Sequence, residues 1–143
     1  MSYRYEFIED VAVADAAFRV TADSWSELLV GAAMAATRVM VDPASLQETR
    51  TVDVTLEADS IDDLLFKWLS EIVYLKDAEQ LLLTGVDLLL DESPSWRLRA
   101  TLHGDTIDLA REGLGQDIKA VTYHLFKVWR DGSDYCAQVV LDI

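Results

Sequence analysis

The residues of this 143-residue chain whose types could do chemistry are mostly carboxylates, and they gather near its two ends. Asp142 is followed by Ile143, whose carboxylate would add further oxygens, and Asp10 and Asp15 lie in the N-terminal stretch. Hard cations such as Ca²⁺ or Mg²⁺ take several oxygen ligands, so a lone aspartate is insufficient and a second chain segment has to contribute. Asp142 and Ile143 supply part of such a shell, and either Asp10 or Asp15 could complete the protein's share. The plainer alternative is an ion pair of Asp142 with Lys119 at a solvated sheet end, worth about 0–1 kcal/mol.

Other chemistries find less support. There is no Gly-rich phosphate loop, no His/Cys cluster at metal-binding spacing and no Ser-His-Asp ordering. Cys136 reads as a buried inert thiol, and His103 and His124 as surface or satisfied strand residues. A hydrolase that activates water on an ion held by Asp15 and Asp142 is the competing enzyme reading. A general chaperone-like module presenting Trp25 and Trp68 is a third, although both tryptophans fall within amphipathic patterns that suit a core.

Charge narrows the field further. The chain has 26 Asp plus Glu against 12 Lys plus Arg, a net charge of -14. Nucleic-acid affinity comes largely from Lys and Arg displacing counterions, and no basic stripe exists here, so direct nucleic-acid binding is not expected. An acidic surface suits cations or a basic protein partner. The single cysteine rules out an internal disulfide and points to a reducing compartment, the cytoplasm. No basic segment leads into an apolar run, and nothing approaches the ~18 apolar residues of a membrane span, so neither secretion nor insertion is expected.

The elements that must position these groups follow from local pattern. Tyr3 to Val20 reads as two strands with a break near Glu9-Asp10. Ser24-Trp25-Ser26-Glu27 has capping-box spacing and opens a helix whose apolar positions run from Leu28 to Met40, where Asp42-Pro43 stops it. Thr51 to Leu56 is a strand. Ser60 starts a second helix with Leu65, Trp68, Leu69, Ile72 and Val73 as its buried stripe. Leu81 to Leu90 is a strand bulged around Gly85, and Trp96 to Leu102 alternates as a half-buried strand. Gly104 to Gly115 reads as a loop, and two strands, about 117–129 and 135–143, flank an Asp131-Gly132 turn. The expected class is α+β, one domain over residues 1–143, a largely antiparallel sheet with two amphipathic helices packed on it.

With Asp131-Gly132 as a two-residue turn, Arg130 pairs with Ser133 and the ladder carries Val121 opposite Asp142. Lys119 and Tyr123 are then its diagonal neighbours, roughly 7–8 Å away.

The strings Lys119-Ala120-Val121-Thr122-Tyr123-His124 and Val139-Val140-Leu141-Asp142-Ile143 resemble archease signatures. Tyr5-Glu6-Phe7-Ile8-Glu9 and the helix segment Leu64 to Leu75 are similar too, so the likeness spans the chain. The resemblance implies a small α+β protein that catalyses no reaction itself. It would promote guanylylation and turnover of an RtcB-type RNA-splicing ligase, as its protein partner, with a bound divalent ion, calcium or else magnesium. Carried over, the metal ligands are Asp15, Asp142 and Ile143, with Lys119 as a functional neighbour. The family's His-Thr-Ala-Asp run is replaced here by Asp10-Val11-Ala12-Val13-Ala14-Asp15, and the segment is about two residues longer. Ala14-Asp15 retains the family dipeptide and favours Asp15, while Asp10 stays open as the N-terminal ligand.

Overall fold

The computed structural model describes residues 2–9, 15–110 and 113–143. Among these residues, seven strands and two long helices follow in the order β1 (Tyr3–Ile8), β2 (Asp15–Ala22), α1 (Trp25–Met40), β3 (Arg50–Ala58), α2 (Ile61–Glu79), β4 (Leu81–Asp91), β5 (Trp96–Thr106), β6 (Ala120–Asp131) and β7 (Asp134–Asp142), with a 3-10 turn at Pro43–Ser45. Every pairing is antiparallel, but the strands form two sheets rather than the one expected: β1-β2-β7-β6 and β3-β5-β4. The α+β class holds, and the helices sit between the sheets. α1 lies against β1, β2 and β7 on one side and β4 on the other, and α2 touches β6 as well as β3, β4 and β5.

That arrangement explains why α1 is rich in small residues. Gly31, Ala32, Ala33, Ala35 and Ala36 are all buried, because a helix between two sheets has little solvent face to spare. Gly31 is needed outright: a Cβ there would lie 2.7 Å from the Tyr3 ring. Both helix starts behave as their sequences indicate. Ser24 Oγ accepts the Glu27 amide at 3.1 Å, and Ser60 Oγ accepts the Asp63 amide at 3.1 Å. α2 buries Trp68 completely, and its indole Nε1–H donates to the Leu29 carbonyl at 2.8 Å, tying the helices together. Phe18, Val20, Val139 and Leu141 from the four-stranded sheet join Leu98 and Leu102 from the other in one continuous core.

Other expectations meet the structure unevenly. The β4 bulge falls where Gly85 suggested, between Leu83 and Gly85. The segment expected to loop from Gly104 instead continues β5 to Thr106, because Gly104 pairs with both Arg50 and Leu83. No helix among the described residues is long and apolar enough to cross a membrane.

Candidate functional site

Alternation fixes the face that each end-strand carboxylate occupies. In β2, Phe18, Val20 and Ala22 point into the core, so Asp15, Ala17, Arg19 and Thr21 face outward; in β7, Ala137, Val139 and Leu141 point inward and leave Asp142 outward. The two strands pair without a slip from Ala22↔Tyr135 to Asp15↔Asp142. Asp15 and Asp142 are therefore direct cross-strand partners on one sheet face, with Cβ atoms roughly 4.5–5.5 Å apart. Both are half-buried. Ile143 follows with its side chain packed against the core, which fixes the main chain beside Asp142.

The neighbour on the other side is not the residue expected. β6 and β7 begin in step at Asp131↔Asp134, so the two-residue turn is Gly132-Ser133, with Gly132 at φ +60°. Beyond Lys127↔Gln138 the register jumps, and pairing resumes at Thr122↔Val140. The residues Tyr123 to Phe126 thus oppose only Val139, and Ala120 rather than Val121 ends up across from Asp142. Both the turn position and an extended bulge were invisible to a ladder counted from Asp131-Gly132. Lys119 is still adjacent, but through the main chain: its amide donates to the Asp142 carbonyl at 2.8 Å, and its side chain is exposed. Asp10 lies outside the described residues.

A buried lysine that sequence reasoning passed over holds this corner. Lys76, near the end of α2, is 4% exposed, and its ammonium donates to Asp117 at 2.5 Å and to the Ile118 carbonyl at 2.6 Å, with Asp77 at 2.6 Å. Burial works to lower its pKa, but the Asp117 and Asp77 carboxylates outweigh that and hold it above the ordinary lysine value. The cation thus pins residues 117–118, and the next residue clamps Asp142. The only sequence signal was a lysine in line with a buried stripe. On the outer face of the other sheet, His103 Nε2 meets Asp87 Oδ2 at 2.7 Å and Nδ1 lies 3.3 Å from Glu48. The Asp87 hydrogen bond raises the imidazole pKa against partial desolvation, with Glu48 helping. Cys136 is buried, and burial pushes its thiol pKa up, as an inert side chain requires.

The donor set around Asp15 and Asp142 is all oxygen, which suits Ca²⁺ or Mg²⁺ and not thiolate or imidazole metals. Among the described residues no group of three or more His, Cys, Asp or Glu side chains is placed to hold a metal, so main-chain oxygens and water would have to complete any shell here.

The model of the Archease protein family (MTH1598/TM1083) matches residues 5–143. The chain belongs to the archease family. Archease from Methanopyrus kandleri is 33% identical over 140 residues, covering 97% of this chain and 99% of that one. Archease from Pyrobaculum neutrophilum is 33% identical over 119 residues, covering 82% and 81%. The solution structure of Methanobacterium thermoautotrophicum protein 1598 superimposes with a TM-score of 0.85 at 26% identity, covering 97% and 98% of the two chains. A crystal structure of an archease described as a possible chaperone, from Thermotoga maritima, shares the fold with a TM-score of 0.66 at 22% identity over 92% of this chain and 93% of that one.

Proposed function

We propose that this archease is a non-catalytic activator of an RtcB-type RNA ligase in the cytoplasm, and that it works with a divalent ion, calcium or magnesium, held by Asp15, Asp142 and the main chain of Ile143. The observation that carries the reading is the direct pairing of Asp15 with Asp142 on one half-buried sheet face. Like charges opposite each other in a sheet destabilise it, so a protein that places two there gains from a cation between them. Bound there, the ion would supply positive charge and Lewis acidity at an otherwise acidic tip. The chain's own part is to aim two carboxylates outward, keep the Asp142 main chain fixed through Lys119 and Lys76, and leave room for a partner's groups.

Charge supports a protein partner over RNA itself. A net charge of -14 repels phosphates and favours docking on the basic surface of an RNA-binding enzyme. The test is single-turnover guanylylation of an RtcB-type ligase from the same organism. Addition of this chain accelerates the step, and Asp142→Ala removes the acceleration while leaving the fold intact. Hydrolysis of phosphoester substrates by the chain alone, lost in Asp142→Ala, would instead establish the hydrolase.

A further inference from the structure

The extended bulge in β6 does more than shift a register. Tyr123 and Leu125 are 72% and 57% exposed, and Leu125 adopts φ +54°, the left-handed region that is strained for a bulky residue. The bulge is built, not frayed. Gln138 Nε2 donates to the Leu125 carbonyl at 3.1 Å, and its Oε1 accepts from Arg19 at 2.8 Å, so β2 and β7 brace it from the outer sheet face. On the other side Phe66 of α2 stacks on Tyr123 at 3.9 Å between ring centroids with the planes 2° apart, and Phe126 meets both rings edge-on.

β6 is an edge strand of its sheet, and edges are commonly blunted with bulges, charges or proline. Protection alone would not put an aromatic ring and a leucine into solvent; that presents the edge instead of hiding it. Strain retained at an exposed apolar residue, with a purpose-made brace behind it, is the pattern of a binding element. Asp62 and Asp63, exposed one turn before Phe66 on α2, border the patch with negative charge. A second copy of this chain would bring another -14 to that border, and RNA would bring phosphates. A protein surface with an apolar pocket rimmed by Lys and Arg fits both features.

We propose that the Phe66–Tyr123–Leu125 patch is the docking anchor for such a basic protein partner. Resting on the reading above, this partner is the ligase, seated so that its surface reaches along β6 from the bulge to Ala120 and the Asp15–Asp142 pair. Tyrosine centred in an interface is a common energetic hot spot, and the acidic border speeds encounter.

The test measures ligase binding by calorimetry and surface kinetics for wild type, Tyr123→Ser, Leu125→Gly and the Asp62→Asn/Asp63→Asn pair. Tyr123→Ser and Leu125→Gly raise Kd tenfold or more, while calcium affinity stays within twofold of wild type. Leu125→Gly also melts no lower than wild type, since glycine relieves the strained φ, which separates lost contact from lost fold. The Asp pair lowers the association rate severalfold, and salt does the same to wild type. Wild-type binding that both patch variants retain within twofold overturns the docking surface and leaves the ligase reading standing; no wild-type binding overturns both. A wild type that self-associates, made monomeric by Tyr123→Ser, overturns the assignment in favour of a second copy.

Discussion

Replacing Asp15 by Asn tests the paired-carboxylate geometry through stability alone, without any partner. Two unit charges about 5 Å apart repel by about 0.8 kcal/mol at the dielectric of water and about 3 kcal/mol at an effective value near 20. Direct cross-strand pairs contribute about 0.2–1 kcal/mol in sheets, so for half-buried Asp15 and Asp142 a cost of about 1 kcal/mol is the working figure. Asn keeps the shape and removes the charge. In chelator, Asp15→Asn therefore melts about 2–4 °C above wild type, given the size of the chain. Calcium at roughly a hundred times its dissociation constant stabilises the folded wild type by about 2.7 kcal/mol, or about 5–10 °C. The variant, left with one neutral oxygen in place of a carboxylate, gains little. The two melting curves, recorded by calorimetry with chelator and then with calcium, must exchange order. An Asp15→Asn protein that melts below wild type in chelator, or gains as much from calcium, would refute the shared site.

Lys76→Met leaves the exposed Asp77 and Asp117 to water but strips the Ile118 carbonyl of its donor; it costs about 1–3 kcal/mol by urea unfolding and weakens calcium binding measured by calorimetry, because residues 117–119 lose their anchor. Trp68→Phe removes the indole bond to Leu29 and part of a fully buried side chain, lowering stability by about 2 kcal/mol with no change in the secondary structure seen by circular dichroism. His103 has its pKa raised in the fold, so its contribution to stability is complete below the ordinary value of 6.5 and is lost as pH rises through the higher folded value. His103→Gln accordingly flattens the fall in melting temperature on the alkaline side of 6.5, and an unchanged pH profile counts against the Asp87–Glu48 pairing.

Much of the fold could be read because each element carries its own local signal. The serine caps at Ser24 and Ser60, the stripe through Trp68 and the alternation in β5 are short-range features, and each marks an element that formed. The division into two sheets could not be read this way. It depends on α1 being thin enough, with its run of alanines, to be covered on both sides, and an alanine-rich helix looks amphipathic by period whether one face or two is buried. The candidate site was legible as a pair of aspartates at strand ends. Its β6 neighbour was not, since a bulge that sets Tyr123 to Phe126 against Val139 leaves no glycine or proline to announce it, only a lapse in alternation. Lys76 was missed for the related reason that its meaning lies in Asp117 and Ile118, 41 and 42 positions away.

The unbroken run of β2–β7 pairs has a corollary for how sequence change can spread. Asp142 is located by β2, strand against strand over its length, and owes nothing to the count of residues around Gly132-Ser133, since the bulge absorbs any mismatch before it arrives. Lengthening or shortening that hairpin tip leaves the carboxylate pair in place. A deletion of one residue inside β2 does the opposite, turning Asp15 under the sheet and dissolving the site through the very strand that carries it.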